Sequence, residues 1–161
     1  MVARKVAILS PGDMGHAVGR VLIAHDIDVV SFLEGRSERT KKLSREAGIR
    51  EQATLEELVI ESDLVLSIVV PSQALEVAQL VADAIQVTHT ETYYVDCNPI
   101  PPYKAIELDE IITSAGGCFI DASIIGAPPK EGSVPRFYAS GQYAKELSAL
   151  DGMGVQICPM E

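Results

Sequence analysis

The first apolar segment of the chain leads directly into a glycine-containing turn and then into an amphipathic segment. Residues 6–9 (VAIL) are strand-like, and the turn that follows reads Ser10-Pro11-Gly12-Asp13-Met14-Gly15. Across residues 14–25 apolar side chains recur at i, i+3 and i+4, which is typical of a helix with one buried face. A strand, a tight turn and a helix in this order predict the first part of a βαβ unit.

The same alternation continues to the end of the sequence. Further strands are predicted at residues 28–33, 64–70, 93–96, 118–125, 137–140 and 155–158. Further helices are predicted at residues 37–47, after Thr54, and at residues 72–87, 102–115 and 142–150, with Ser37, Thr54 and Ser72 as N-caps and Gly48 after the second helix. The nearly continuous apolar run at 64–70 is typical of a strand covered on both faces. We predict one domain over residues 1–161, with a Rossmann-like, doubly wound, mainly parallel sheet in three αβα layers.

The turn at residues 10–15 has the spacing of the dinucleotide-binding motif G-x-G-x-x-G, with Ser10 in place of the first glycine. In this motif Gly12 lets the backbone approach a pyrophosphate, and Gly15 lets the helix pack closely on the strand. The N–H groups of Asp13 and Met14 at the helix start are expected to bind the phosphate oxygens. A structural turn without a ligand is the alternative, and a P-loop is excluded because no Gly-Lys-Ser/Thr follows.

The end of the second predicted strand contains both signals that distinguish the two nicotinamide cofactors. An acidic residue about 20 residues after the motif binds the ribose hydroxyls of NAD, and Glu34 fits that position. Arg36 and Ser37 follow Gly35 and suit the 2′-phosphate of NADP. We predict NADP, with NAD as the alternative. Four more cations, at positions 39, 41, 42 and 45, are interpreted as a solvated helix face.

Charge and composition exclude several other classes of protein. The chain has 13 basic and 23 acidic residues, a net charge of −10, so it lacks the cationic surface that nucleic-acid binding requires. No apolar run is long enough for a membrane span or a signal peptide, and we expect a cytoplasmic protein. The three cysteines and three histidines lie far apart, so no metal site is expected. The expected ligand besides the cofactor is a small-molecule substrate, and a homodimer is possible.

Five segments of the chain resemble, in order, motifs of the β-hydroxyacid dehydrogenases, which include 3-hydroxyisobutyrate and 6-phosphogluconate dehydrogenases. These segments are residues 10–15 with Gly19 (G-x-G-x-M-G), 33–37 (Asn-Arg-Ser/Thr of NADP-preferring members), 67–72 (the Met-Leu-Pro element), 95–98 (the Asp-containing element near the nicotinamide) and 119–127 (the substrate-side loop). The resemblance implies hydride transfer between a nicotinamide and a small hydroxy acid or related substrate. It further implies cofactor contacts at Val70 and Pro71 and a substrate contact at Gly126.

Two departures from the family bear on catalysis. Ile125 stands where the family has the serine of its Ser-Gly-Gly motif, so a substrate-binding hydroxyl is missing. The family's catalytic lysine lies on a separate helical domain that follows the cofactor domain. We therefore expect this chain to be a truncated, NADP-binding part of an oxidoreductase, inactive alone. The alternative is a non-catalytic dinucleotide-binding or regulatory module.

Few residues of the chain are candidates for catalysis. Asn98 follows the fourth main strand at the edge where ligands bind in this fold, so it could orient the nicotinamide, or simply form a turn before Pro99. His16 is expected to pack beside the phosphates rather than act as a base. Lys130, in a loop rich in glycine and proline, is expected to be solvated. None of these side chains is assigned a catalytic role, and Asn98 is kept as a candidate.

Overall fold

The seven predicted strands and one further short strand form a single eight-stranded sheet in the computed structural model, which describes residues 1–160. The strands are β1 (Lys5–Leu9), β2 (Asp28–Ser31), β3 (Arg50–Glu51), β4 (Leu64–Ser67), β5 (Tyr93–Asp96), β6 (Cys118–Ile125), β7 (Arg136–Ser140) and β8 (Gln156–Pro159). Their order is β3-β2-β1-β4-β5-β6-β7-β8, and every neighbouring pair is parallel except β6 with β7. The Rossmann-like fold is therefore confirmed.

Helices cover both faces of this sheet. They are α1 (Asp13–Ala24), α2 (Glu38–Ala47), α3 (Leu55–Glu61), α4 (Ala74–Thr88) and α5 (Pro102–Ser114), with a 3₁₀ helix at Ala144–Leu150. One apolar core joins the sheet to α1, α2 and the 3₁₀ helix, and a second joins it to α3, α4 and α5. The predicted three layers are present.

The central strand β4 is almost entirely apolar because helices cover both of its faces. Leu64 and Leu66 belong to the core on the α1 side, whereas Val65 belongs to the core on the α4 side. Successive side chains of a strand point to opposite faces, so a strand between two layers of helices has no solvent-facing position. Each of these three side chains is fully buried, which stabilises the fold by roughly 1.5–3 kcal/mol per residue.

Local signals fixed several helix ends as predicted. The Ser37 hydroxyl accepts a hydrogen bond from the Thr40 N–H at 3.1 Å, and Thr54 does the same for Glu57 at 3.1 Å. Gly48 ends α2 with φ of +85°, in the left-handed region that favours glycine. These caps satisfy N–H and C=O groups that have no partner inside the helix.

The segment after β4 differs from the prediction. The strand ends at Ser67 rather than at residue 70, because the Val69 N–H donates to the Asn98 side chain at 2.8 Å instead of extending the ladder. Ser72 is not an N-cap: it lies in a 3₁₀ turn, Pro71–Gln73, and α4 begins at Ala74 without a side-chain cap.

Two other elements also differ from the prediction. The helix predicted at residues 142–150 is a 3₁₀ helix that spans Ala144–Leu150. The short strand β3 was not predicted, because its two exposed residues carry no apolar pattern.

Candidate functional site

A cleft of about 500 Å³ opens at the carboxyl ends of β1 and β4. At this point the strand order reverses, and ligands of doubly wound sheets bind there. The cleft is lined by the turn before α1, the turn before α2 and the segment after β4. Its lining residues are Ser10, Gly12, Asp13, Met14, Gly15, Gly35, Arg36, Ser37, Thr40, Ile68, Val69, Val70 and Gln73.

Most residues predicted to bind the cofactor meet in this cleft, although they come from three separate segments of the chain. Pro71, Asn98 and Gly126 are not among the lining residues. Thr40, Gln73, Ile68 and Val69 line it but were not predicted. Thr40 follows the predicted N-cap by three positions, so first-turn spacing was a signal that could have identified it.

The tight turn after β1 is made by Ser10 rather than by a glycine. Ser10 has φ of +53°, in the left-handed region, and its carbonyl accepts the Gly12 N–H at 2.7 Å. A non-glycine residue in this region stores about 1–2 kcal/mol of backbone strain. Ser10 therefore takes the conformation that the first glycine of the motif otherwise supplies.

The two glycines of the motif differ in what surrounds them. A Cβ on Gly15 would lie 3.2 Å from Cγ2 of Ile8, so glycine at this position permits the close packing of α1 on β1. A Cβ on Gly12 would have only the Ser10 carbonyl oxygen near it, at 4.0 Å. Gly12 also has a negative φ of −77°. Neither packing nor backbone conformation requires glycine at position 12. A side chain at this position would instead occupy part of the open cleft.

The N-terminus of α1 faces the cleft without a side-chain cap. Gly12 is the N-cap and supplies no side-chain acceptor. The first N–H groups of a helix have no intrahelical partner, and with the helix dipole they favour an anion. The chemistry of this end of the cleft therefore fits a phosphate.

His16, in the first turn of α1, has a structural hydrogen bond. Its Nδ1 lies 2.6 Å from the Gly12 carbonyl oxygen. Because a carbonyl only accepts, Nδ1 carries the proton in this arrangement. His16 is half-buried and does not line the cleft, so it supports the turn.

The turn between β2 and α2 sets the positions of Glu34 and Arg36. The Arg36 N–H donates to the Leu33 carbonyl at 3.0 Å, and Gly35 has φ of +77°, which is the geometry of a type II turn. Arg36 lines the cleft, and its Nη1 donates to Oε1 of Gln73 at 3.2 Å. The guanidinium thus reaches from the second strand to the segment before α4.

Glu34 lies on another side of the same turn. It is exposed and lines an adjoining depression together with Phe32, Leu55 and Leu80. Arg36 lines both this depression and the main cleft. Glu34 is not among the residues that line the main cleft. Arg36 therefore lies between the cleft and the depression, whereas Glu34 borders the depression but not the cleft.

The cations of α2 are only partly a solvated face. Arg39 forms an ion pair with Asp13, which connects α2 to the start of α1. The Arg39 guanidinium holds the pKa of the Asp13 carboxyl below its ordinary value, through a hydrogen bond and through its charge. Lys41 lies 3.7 Å from Glu38 and Lys42 lies 3.8 Å from Glu46, as ordinary pairs along one helix.

Asn98 lies behind the wall of the cleft. It is 2% exposed, and its Oδ1 accepts the Val69 N–H at 2.8 Å. Its Nδ2 donates to Oδ1 of Asp96 at 2.8 Å and to Oγ of Ser67 at 3.3 Å. The amide is occupied by the protein itself, so the structure gives Asn98 the role of fixing the segment after β4.

Asp96 is buried beside this amide. Burial raises the pKa of the Asp96 carboxyl to about 6, and the negative charge of Asp121 on the neighbouring strand adds to the rise. The hydrogen bonds from Asn98 oppose the shift, because they stabilise the ionised form.

The remaining predicted residues lie outside the cleft lining. Pro71 begins the exposed 3₁₀ turn before α4. Gly126 follows β6 with φ of +118°, and its exposed turn requires glycine for that reason. Lys130 is exposed and pairs through its backbone with Ser133.

Within residues 1–160, no group of three or more His, Cys, Asp or Glu side chains could hold a metal ion. None of the helices described in that range has the length and apolar character of a membrane span.

The cleft geometry agrees with comparisons to known proteins. Residues 5–153 match the family described as the NAD binding domain of 6-phosphogluconate dehydrogenase. The chain belongs to this family. The predicted resemblance is confirmed.

Among curated proteins, an uncharacterised 28.5 kDa protein of Methanothermus fervidus is 30% identical over 131 residues, covering 81% of this chain and 48% of its own length. A solved protein of unknown function, described as structurally similar to 3-hydroxyacid dehydrogenases, superposes with a TM-score of 0.85 at 29% identity. That match covers 98% of this chain and 57% of the other chain.

The 3-hydroxyisobutyrate dehydrogenase of Mycobacterium tuberculosis shares the fold, with a TM-score of 0.78 at 19% identity over 99% of this chain and 54% of that one. This chain spans about half the length of these relatives.

Proposed function

We propose that the cleft binds NADP in preference to NAD, as the cofactor domain of an oxidoreductase acting on a small hydroxy acid or a related substrate. The observation that carries the choice of cofactor is the arrangement of the turn before α2. Arg36 lines the cleft as well as the adjoining depression, whereas Glu34 lines the depression but not the cleft. A guanidinium in the cleft attracts a 2′-phosphate, and a carboxylate outside the cleft lining is less well placed to bind the ribose hydroxyls.

The residues present fit a dinucleotide. The open space at Gly12 and the uncapped start of α1 suit the pyrophosphate, which the N–H groups of Asp13 and Met14 would hold. Arg36 and Ser37 would hold the 2′-phosphate, with Gln73 orienting the guanidinium through its hydrogen bond at 3.2 Å. Val70 and Pro71 would border the cofactor on the side of the segment after β4. Bound NADP supplies the hydride chemistry.

Asn98 acts on the cofactor indirectly in this proposal. Its three internal hydrogen bonds fix residues 68–70, and these residues form one wall of the cleft. Gly126 and the loop after β6 would face the substrate, as the family resemblance implies. We assign proton transfer to none of the side chains that line the cleft.

The deciding experiment is calorimetric titration of the protein with NADP and with NAD. A guanidinium paired with a phosphate contributes roughly 1.5–3 kcal/mol, so we expect NADP to bind about 10- to 100-fold more tightly. The Arg36→Ala variant should lose this preference while its affinity for NAD changes little. Equal wild-type affinities, or an equal loss for both cofactors in the variant, would assign the ribose to Glu34 and NAD to the cleft.

A non-catalytic dinucleotide-binding or regulatory module is the second candidate function. Ile125 favours it, because this position lacks the hydroxyl that the family uses toward substrate. Turnover of hydroxy acids by the natural protein, followed through NADPH absorbance, separates the two. The first proposal includes a cytoplasmic location and a homodimer. Cell fractionation tests the location, and light scattering tests the oligomeric state.

A further inference from the structure

Asp13 puts a negative charge at the phosphate end of the cleft. It is the first residue of α1, directly after the Gly12 cap, and it lines the cleft. A carboxylate in the first turn stabilises the helix through its dipole. The same carboxylate repels any phosphate that approaches the helix N-terminus, so helix stability and anion binding conflict at this position.

Arg39 places a positive charge beside the Asp13 carboxylate and so offsets its negative charge. It extends from the first turn of α2 to the Asp13 carboxylate and forms an ion pair with it. The pKa of the Asp13 carboxyl lies below its ordinary value, so the carboxylate is charged at neutral pH and the pair is maintained. Arg39 does not itself line the cleft.

We propose that Arg39 is a positioning residue that neutralises Asp13 and thereby allows the cleft to accept the pyrophosphate of a dinucleotide. The inference rests on the proposed function, since it requires that the cleft bind a dinucleotide. Arg39 acts through Asp13 and contacts no part of the ligand. Its effect is therefore the same for NAD and NADP, which share the pyrophosphate and differ in the 2′-phosphate.

The test is a double-mutant cycle measured by calorimetry with both cofactors, at low and at high salt. Arg39→Ala should weaken NAD and NADP alike by about three- to tenfold, the size expected for one uncompensated charge near a surface. The loss should shrink at high salt, because salt screens the repulsion. Adding Asp13→Asn should restore wild-type affinity, because the charge that Arg39 neutralises is gone. The Arg39→Lys variant should keep most of the wild-type affinity, because lysine keeps the positive charge.

Lys42→Ala is the matched control. It removes one cation from the same helix, but Lys42 pairs with Glu46 and does not line the cleft. Its affinities should equal those of the wild type. Thermal unfolding of each variant shows that it is folded.

Three results would overturn the inference. Unchanged affinity in Arg39→Ala would show that the ion pair has no effect on binding. A double variant that stays as weak as Arg39→Ala would show that Arg39 contacts the ligand directly. A loss confined to NADP would make Arg39 a 2′-phosphate ligand instead. In all three cases the wild-type protein still binds NADP more tightly than NAD, whereas failure of the proposed function would appear in the wild type itself, as equal affinities for the two cofactors or as no binding of either.

Discussion

Replacing Gly12 by valine tests the phosphate end of the cleft most directly. The space around Gly12 belongs to the cleft, since the nearest protein atom to an added Cβ is the Ser10 carbonyl oxygen at 4.0 Å. A valine side chain would fill this space and separate a phosphate from the N–H groups at the start of α1. Each lost N–H bond to a charged phosphate weakens binding by roughly 1.5–3 kcal/mol. Loss of one to two such bonds, about 1.5–6 kcal/mol, predicts an affinity lower by about 10-fold to about 10⁴-fold.

The same variant should remain folded. The substitution meets no packed atom, and the backbone of Gly12 has a negative φ. The expected cost is that of a poorer N-cap, about 1 kcal/mol. For a domain of this size, 1 kcal/mol lowers Tm by roughly 2–4 °C. Calorimetric titration with NADP measures the first effect, and a thermal melt measures the second.

Gly15→Ala is the matched control, because the same motif contains a glycine with the opposite role. Its added Cβ would lie 3.2 Å from Cγ2 of Ile8, inside the contact between α1 and β1. Overpacking of this kind costs roughly 1–3 kcal/mol, so this variant should lose stability more than Gly12→Val does. Unchanged cofactor affinity in a folded Gly12→Val variant would refute the assignment of the motif to phosphate binding.

Three further predictions concern the walls of the cleft. Asn98→Ala leaves the Val69 N–H without its partner and removes the side-chain hydrogen bond to Asp96, so thermal unfolding should show a loss of about 2–4 kcal/mol. Unchanged stability would show that Asn98 does not support the wall. Because burial raises the pKa of Asp96 to about 6, its ionisation destabilises the fold as pH rises from about 4 to about 6. Denaturant melts should therefore find Asp96→Asn gaining stability relative to the wild type over that range and no further above it; a pH-independent difference would contradict the assignment. Glu34→Gln should leave NAD affinity within about twofold of the wild type, since Glu34 lies outside the cleft lining, and a tenfold loss would show that it binds the ribose.

The sequence alone determined the architecture and the glycine turn that leads into α1. Strand and helix periods, helix caps and the glycine turn are local properties, which depend on residues a few positions apart. Ser37, Gly48 and Thr54 took their predicted places for that reason. The family resemblance had the same basis, since its motifs are short and follow one another in order.

Tertiary structure decided which side chains actually face the cleft. Asn98 follows a strand end as the motif requires, yet its amide bonds to Val69, 29 positions away, and is buried. Arg36 meets Gln73 across 37 positions, and Arg39 meets Asp13 across 26. Such pairs depend on which strands are neighbours and on how the loops at their ends approach one another. A sequence pattern places a residue at the edge of the sheet, but the direction of its side chain is set by partners from distant segments, which a local pattern does not contain.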